Sequence, residues 1–147
     1  MILHKNENLF NDLLLTTSSV LGIPFSFVEK DYWITLVLSR LSKSKFFDVS
    51  VFKGGTSLSK AYNLIERFSE DVDIAIINDK DKTGNEIKTI IRTIEKEITP
   101  DLKEVQLFGV TSKGSRFRKS VFEYESTSEI RQKQAFGTHL ATLTQSD

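Results

Sequence analysis

No cysteine occurs anywhere in the 147 residues. That excludes disulfides, thiolate zinc sites and thiol nucleophiles. Net charge is absent too, because twenty Lys and Arg balance twenty Asp and Glu. Such a chain has no global field to draw in a polyanion, so any nucleic-acid contact has to be local. No apolar run approaches membrane-spanning length. The N-terminus lacks the apolar core of a signal peptide, since His4, Lys5, Asn6 and Glu7 fall where that core would lie. The expectation is a soluble cytoplasmic protein with no membrane partner. Histidine is scarce: His4 and His139 sit near opposite ends and read as two exposed surface residues, not as a paired metal site. What is present is a large apolar share with eleven phenylalanines, which argues for a folded globule. The length predicts one domain, enough for a core of several strands and helices.

Apolar spacing predicts two N-terminal helices. Over residues 6–21, Leu9, Leu13 and Val20 form one stripe with Phe10, Leu14 and Leu21 beside it, and Gly22 and Pro24 end the helix. Over 26–42, Ser26 and Glu29 match a capping box, and Trp33, Val37 and Leu41 recur every four residues on the buried side. Residues 48–52 read as a strand, 56–67 as a helix and 72–77 as a buried strand. Thr83 and Glu86 form a second capping box. It opens a helix carrying Ile87, Ile90, Ile91, Ile94 and Ile98, which Pro100 ends. Residues 105–110 and 119–125 read as paired strands around a turn at 111–115. Beyond Ser126 the patterning fades, and 137–147 is expected to fray.

The chemistry concentrates in Phe52-Lys53-Gly54-Gly55-Thr56-Ser57 and in Arg67-Phe68-Ser69-Glu70-Asp71-Val72-Asp73. Glycines without a Cβ let the backbone approach a phosphate closely. The helix N-terminus that follows offers free N–H groups and a positive dipole end. Thr56 and Ser57 add hydroxyl donors. Asp71 and Asp73, two apart on a strand, share a face and make a hard oxygen site suited to Mg²⁺, bridging the phosphates of a nucleotide. Singly, a Gly-Gly pair is usually a turn and an Asp-x-Asp pair is usually solvated. Here the acids stand at the mouth of an apolar strand, where they need partners or a metal.

With these residues in view, Lys53-Gly54-Gly55-Thr56-Ser57-Leu58-Ser59-Lys60-Ala61-Tyr62 followed by Arg67 to Ile74 resembles the signature of the AbiEii-type nucleotidyltransferase toxins, within the polymerase-beta-like superfamily. Val28 to Trp33 is similar to the segment that precedes that signature, and Gly114 to Phe117 is also similar to the family. The resemblance implies an α/β or α+β fold: a small mixed sheet flanked by helices, with two N-terminal helices. It implies an NTP substrate, Mg²⁺ or Mn²⁺, and transfer of a nucleotide to an RNA hydroxyl, with tRNA as a leading acceptor. It also implies an antitoxin partner and a role in abortive infection, that is, phage defence. Carried over by position, Gly54, Gly55, Thr56 and Ser57 hold the triphosphate, Asp71 and Asp73 are the catalytic metal ligands, and Arg67 and Ser69 support the site. Lys53 reads either as a phosphate contact or as a strand-end lysine in solvent.

The superfamily commonly uses a third carboxylate on a later strand. Glu123 and Glu125 share a face and are the candidates, although alternating glutamates on an edge strand are ordinary. Lys113, Arg116, Arg118 and Lys119 surround Phe117 and read as an RNA-backbone contact or as a solvated hairpin that offsets nearby acids. Family members run longer. The expected organisation is one nucleotidyltransferase-like domain over 1–147, with helices at 1–47, a catalytic core at 48–126 and a tail at 127–147 that lacks the family's C-terminal region. Three readings stand open: an active toxin; a non-catalytic remnant that binds nucleotide or a partner, with uncovered apolar surface favouring self-association; and another phosphotransferase on the same core.

Overall fold

A computed structural model describes residues 2–53, 71–77, 82–114, 116–128 and 132–143. The helix expected over 56–67, with Gly54, Gly55, Thr56, Ser57, Arg67 and Ser69, lies outside them. A single 3-10 turn, Leu3–Lys5, leads into α1, Glu7–Leu21, whose N-cap Asn6 accepts from the Leu9 N–H at 3.2 Å. Gly22 ends α1 in the left-handed region at φ 67°, a conformation that needs glycine. The buried stripe of α1 is Phe10 and Leu14, not the Leu9–Leu13–Val20 row; Val20 is 77% exposed. It packs mainly on α2 and the N-terminal turn, and the Asn11 side-chain amide donates to the Thr127 carbonyl at 2.7 Å.

Helix α2 spans Phe25–Ser42 and buries Trp33, Val37 and Leu41 as their spacing predicts. The Ser26–Glu29 capping box does not form. Pro24 is the N-cap, with no side-chain hydrogen bond. Glu29 instead turns inward, fully buried, and its Oε2 accepts from the Thr127 N–H at 2.9 Å and the Thr127 hydroxyl at 3.2 Å. A buried carboxylate requires such donors, and they outcompete a solvent-exposed cap. His4 is likewise not a surface histidine. Its Nε2 lies 2.8 Å from Asp101 Oδ2 and its Nδ1 lies 2.9 Å from the Tyr32 hydroxyl. Burial holds this imidazole below its ordinary pKa, although the Asp101 carboxylate pulls the other way.

After a second 3-10 turn, Phe47–Val49, come β1 (Ser50–Lys53) and β2 (Asp71–Ile77). The strand expected at 48–52 thus begins later and runs to Lys53. Helix α3, Gly84–Ile98, carries the complete Thr83–Glu86 capping box and buries Ile87, Ile91, Ile94 and Ile98. Then follow β3 (Lys103–Val105), β4 (Ser112–Lys113), β5 (Phe117–Glu125) and β6 (Lys133–Leu143). Residues 106–110 leave the sheet in a turn where Gly109 has φ 77°, so the strand expected at 105–110 is only β3, and β4 falls within the expected 111–115 turn.

The sheet order is β1-β2-β6-β5-β3, with β4 added to β5. β2 and β6 run parallel and the other pairs antiparallel, giving the mixed sheet expected. Over Lys133–Leu143 the tail reading is therefore corrected: β6 is a central strand, with Phe136, Thr138 and Leu140 buried. Its outer face carries Gly137, His139 and Ala141, which weakens the apolar alternation that marks a strand. One face of the sheet meets α2 and α3 through Val72, Ile74 and Ile76 of β2, Phe136 and Leu140 of β6, and Phe122 and Tyr124 of β5. Each fully buried isoleucine there contributes about 2 kcal/mol. Burial, reinforced by the Glu29 charge, pushes the Tyr124 phenol well above its usual pKa.

Candidate functional site

Strand alternation decides what faces what. Val72, Ile74 and Ile76 point into the helical layer, so Asp71 and Asp73 emerge on the opposite face. Register then sets their neighbours. Lys53 of β1 pairs with Asp73, and His139 of β6 pairs with Asp73 from the other side. Lys119 of β5 pairs with His139. A row Lys53–Asp73–His139–Lys119 therefore crosses four strands on one face. His139 Nδ1 is 3.6 Å from Asp73 Oδ1, and each side chain is 37% exposed.

Asp71 pairs with Gly137. A Cβ built on Gly137 would collide with Asp71 Oδ1 and lie 3.3 Å from its Cγ, so glycine leaves the space this carboxylate occupies. Asp71 and Gly137 border a cleft of about 240 Å³ that Lys30, Lys119, Leu107 and Val110 also line. Both carboxylates thus lean toward β6, one over its glycine and one against its histidine. Among the described residues no three acid or histidine side chains are gathered as a ready metal site. Two carboxylates on one face still fit Mg²⁺, which takes its remaining ligands from water and substrate phosphates.

Glu123 and Glu125 lie on the same face, but the structure does not bring them to the aspartates. Val121, not Glu123, is level with Gly137, so Glu123 stands two strands across and two residues along, about 12 Å from Asp71 by strand spacing. Glu123 pairs with Lys103 at 3.6 Å and Lys133 at 3.7 Å. The basic cluster is split by the same alternation. Arg118 turns to the helical side, where Nε meets Glu95 Oε1 at 2.5 Å and Nη2 meets Glu104 Oε2 at 3.3 Å. Lys113 Nζ meets Glu104 Oε1 at 2.8 Å. Partial burial would raise the Glu104 pKa, but these two cations outweigh it and hold the carboxyl below the usual range. Phe117 and Lys119 share the aspartate face. Half of the cluster therefore offsets acids, and Arg116 and Lys119 stay exposed.

The residues that sequence reasoning missed are Gly137 and His139. Nothing in local spacing links them to Asp71 and Asp73; only the parallel β2–β6 pairing does. Among the described residues no helix is long and apolar enough to cross a membrane.

No curated protein matches the chain. Residues 36–136 match the family model described as nucleotidyl transferase AbiEii toxin, type IV toxin–antitoxin system. That span is well over half the chain and contains the Lys53–Ser57 segment, Asp71 and Asp73. The mixed sheet with helices packed on it agrees with a nucleotidyltransferase-like fold. The chain belongs to the AbiEii nucleotidyltransferase toxin family of type IV toxin–antitoxin systems.

Proposed function

We propose that this chain transfers a nucleoside monophosphate from an NTP to an RNA hydroxyl, tRNA being the leading acceptor, with Mg²⁺ or Mn²⁺ at Asp71 and Asp73. The observation that carries this reading is the pair of carboxylates on one face at the mouth of β2, with a glycine on the next strand that leaves room for Asp71. Lys53, level with Asp73 on β1, lies on the face where a phosphate would approach. Gly54, Gly55, Thr56 and Ser57, directly after β1, are proposed to hold the triphosphate, with Arg67 and Ser69 in support. Asp71 and Asp73 would hold the divalent ion, which would supply positive charge to the phosphates during transfer. The acceptor hydroxyl oxygen forms the new bond to the α-phosphorus. The bond to the bridging oxygen breaks, pyrophosphate departs and the hydroxyl proton passes to solvent. A cognate antitoxin is the proposed protein partner.

A second reading, a non-catalytic protein that binds nucleotide or a partner, is favoured by one observation. Leu13, Leu15, Val20 and Leu21 leave apolar surface exposed on α1.

The test is transfer of α-labelled phosphate from each of the four NTPs to total cellular RNA, with Mg²⁺ or EDTA. Wild type should label RNA only with metal. Asp71→Ala and Asp73→Ala should reduce labelling by at least about 100-fold, the scale of removing a transition-state charge partner. Retained turnover in both variants rejects the site. Absent labelling in wild type that still binds NTP favours the second reading.

A further inference from the structure

We propose that the cleft beside Asp71 receives one unpaired nucleotide of the RNA acceptor, with Lys30 and Lys119 on its phosphates, so that single-stranded RNA is taken in preference to duplex. This rests on the transferase reading of Asp71 and Asp73 and adds to it where the acceptor binds and in what form.

The sheet fixes the place. The cleft, about 240 Å³, is lined by Asp71 of β2, Gly137 of β6, Lys119 of β5, Leu107 and Val110 of the turn before β4, and Lys30 of α2. In the order β1-β2-β6-β5 it lies on the β5 side of the aspartates. Lys53, and the segment proposed to hold the triphosphate, belong to the β1 side. In-line displacement needs the attacking oxygen and the departing pyrophosphate on opposite sides of the phosphorus. With pyrophosphate leaving on the β1 side, the acceptor hydroxyl enters from the cleft.

The walls suit a base and its backbone. Leu107 and Val110, half-buried, form an apolar wall, and Phe108 on the loop between them is fully exposed. An exposed ring gives an unstacked base a surface to stack on. Lys103, Lys113, Lys133 and Arg118 each meet a glutamate, whereas among the described residues Lys30 and Lys119 form no salt bridge. Their charges stay available to phosphate oxygens. The cleft is smaller than the ~300 Å³ at which pockets for drug-sized ligands begin. That leaves room for one base but not for a duplex, whose bases are stacked and paired.

The experiment uses the whole chain and two fluorescent probes, a short single-stranded oligoribonucleotide and a blunt duplex of the same sequence. Anisotropy reads RNA binding over a salt series, and Mg²⁺–NTP binding is measured in parallel. The proteins are wild type, Val110→Glu, Phe108→Ala and the double variant Lys30→Ala/Lys119→Ala. None of these side chains is buried, so the fold should persist, and circular dichroism checks it. Wild type should bind the single strand about tenfold or more tighter than the duplex. Val110→Glu and Phe108→Ala should each weaken single-strand binding about tenfold and leave Mg²⁺–NTP binding unchanged. The double lysine variant should lower the logarithmic salt slope by about 1.4, two phosphates at about 0.7 each. In the labelling assay all three should raise KM for RNA and not for NTP. Duplex bound as tightly as single strand, or RNA affinity unchanged in all three variants, overturns the proposal. So does a loss confined to NTP binding, which would make the cleft the seat of the incoming base. Labelling lost in Asp71→Ala but retained at wild-type KM for RNA in the cleft variants removes the cleft and leaves the transferase reading standing. Wild type that binds RNA through the cleft yet labels nothing ends the transferase reading, and the acceptor role with it.

Discussion

Gly137 shows how one missing methyl group governs a charged neighbour. Any side chain there would occupy the place of the Asp71 carboxylate. The obstructed atom is the far end of a short side chain, so the carboxylate should shift while the backbone stays. Gly137→Ala should therefore alter stability by no more than about 1 kcal/mol. It should weaken Mn²⁺ binding and RNA labelling together. A thermal melt with a metal titration checks both, and wild-type affinity in the variant would remove the positioning role. Asp71 and Asp73 themselves were legible in sequence, because a two-residue spacing on any strand puts them on one face. The glycine was not: its meaning depends on a strand pairing with residues far along the chain.

Among the elements, α3 is the one most fully announced by local chemistry. Its capping box, isoleucine spacing and terminal Pro100 are all short-range signals, and all are realised. What ties it to the sheet is less visible. Glu95, nearly fully buried, accepts from Arg118 Nε and from the Ser120 hydroxyl at 2.9 Å. Glu95→Ala would leave Arg118 half-compensated against the core, at a cost of about 3 kcal/mol. Urea unfolding checks this, and a loss near zero would show that Glu104 alone satisfies the arginine. At the start of α2, the Ser26–Glu29 pattern carries the same local signal as Thr83–Glu86 yet fails. Glu29 finds Thr127 instead, a partner nearly a hundred residues away. Local rules hold where side chains see mainly water and neighbours. They yield where burial demands a distant donor.

At the scale of the molecule, β6 joins the two halves of the sheet. It pairs parallel with β2 and antiparallel with β5, and its Phe136 and Leu140 belong to the main core. Cutting the chain after Gln132 should therefore abolish cooperative unfolding, not trim a loose end. Circular dichroism melts of the shortened and whole chains would show it; a cooperative transition retained in the shortened chain would contradict the central role of this strand. The sequence by itself determined the three described helices, the alternation of β2, the shared face of Asp71 and Asp73, and the exclusion of thiol chemistry. Each follows from residue type and spacing over a few positions. Only the tertiary structure decided that β6 is central, that His139 faces Asp73, that Glu123 does not, and that Arg118 turns inward. Those depend on which strands pair and in which register, and a slip of one residue would move every side chain to the other face.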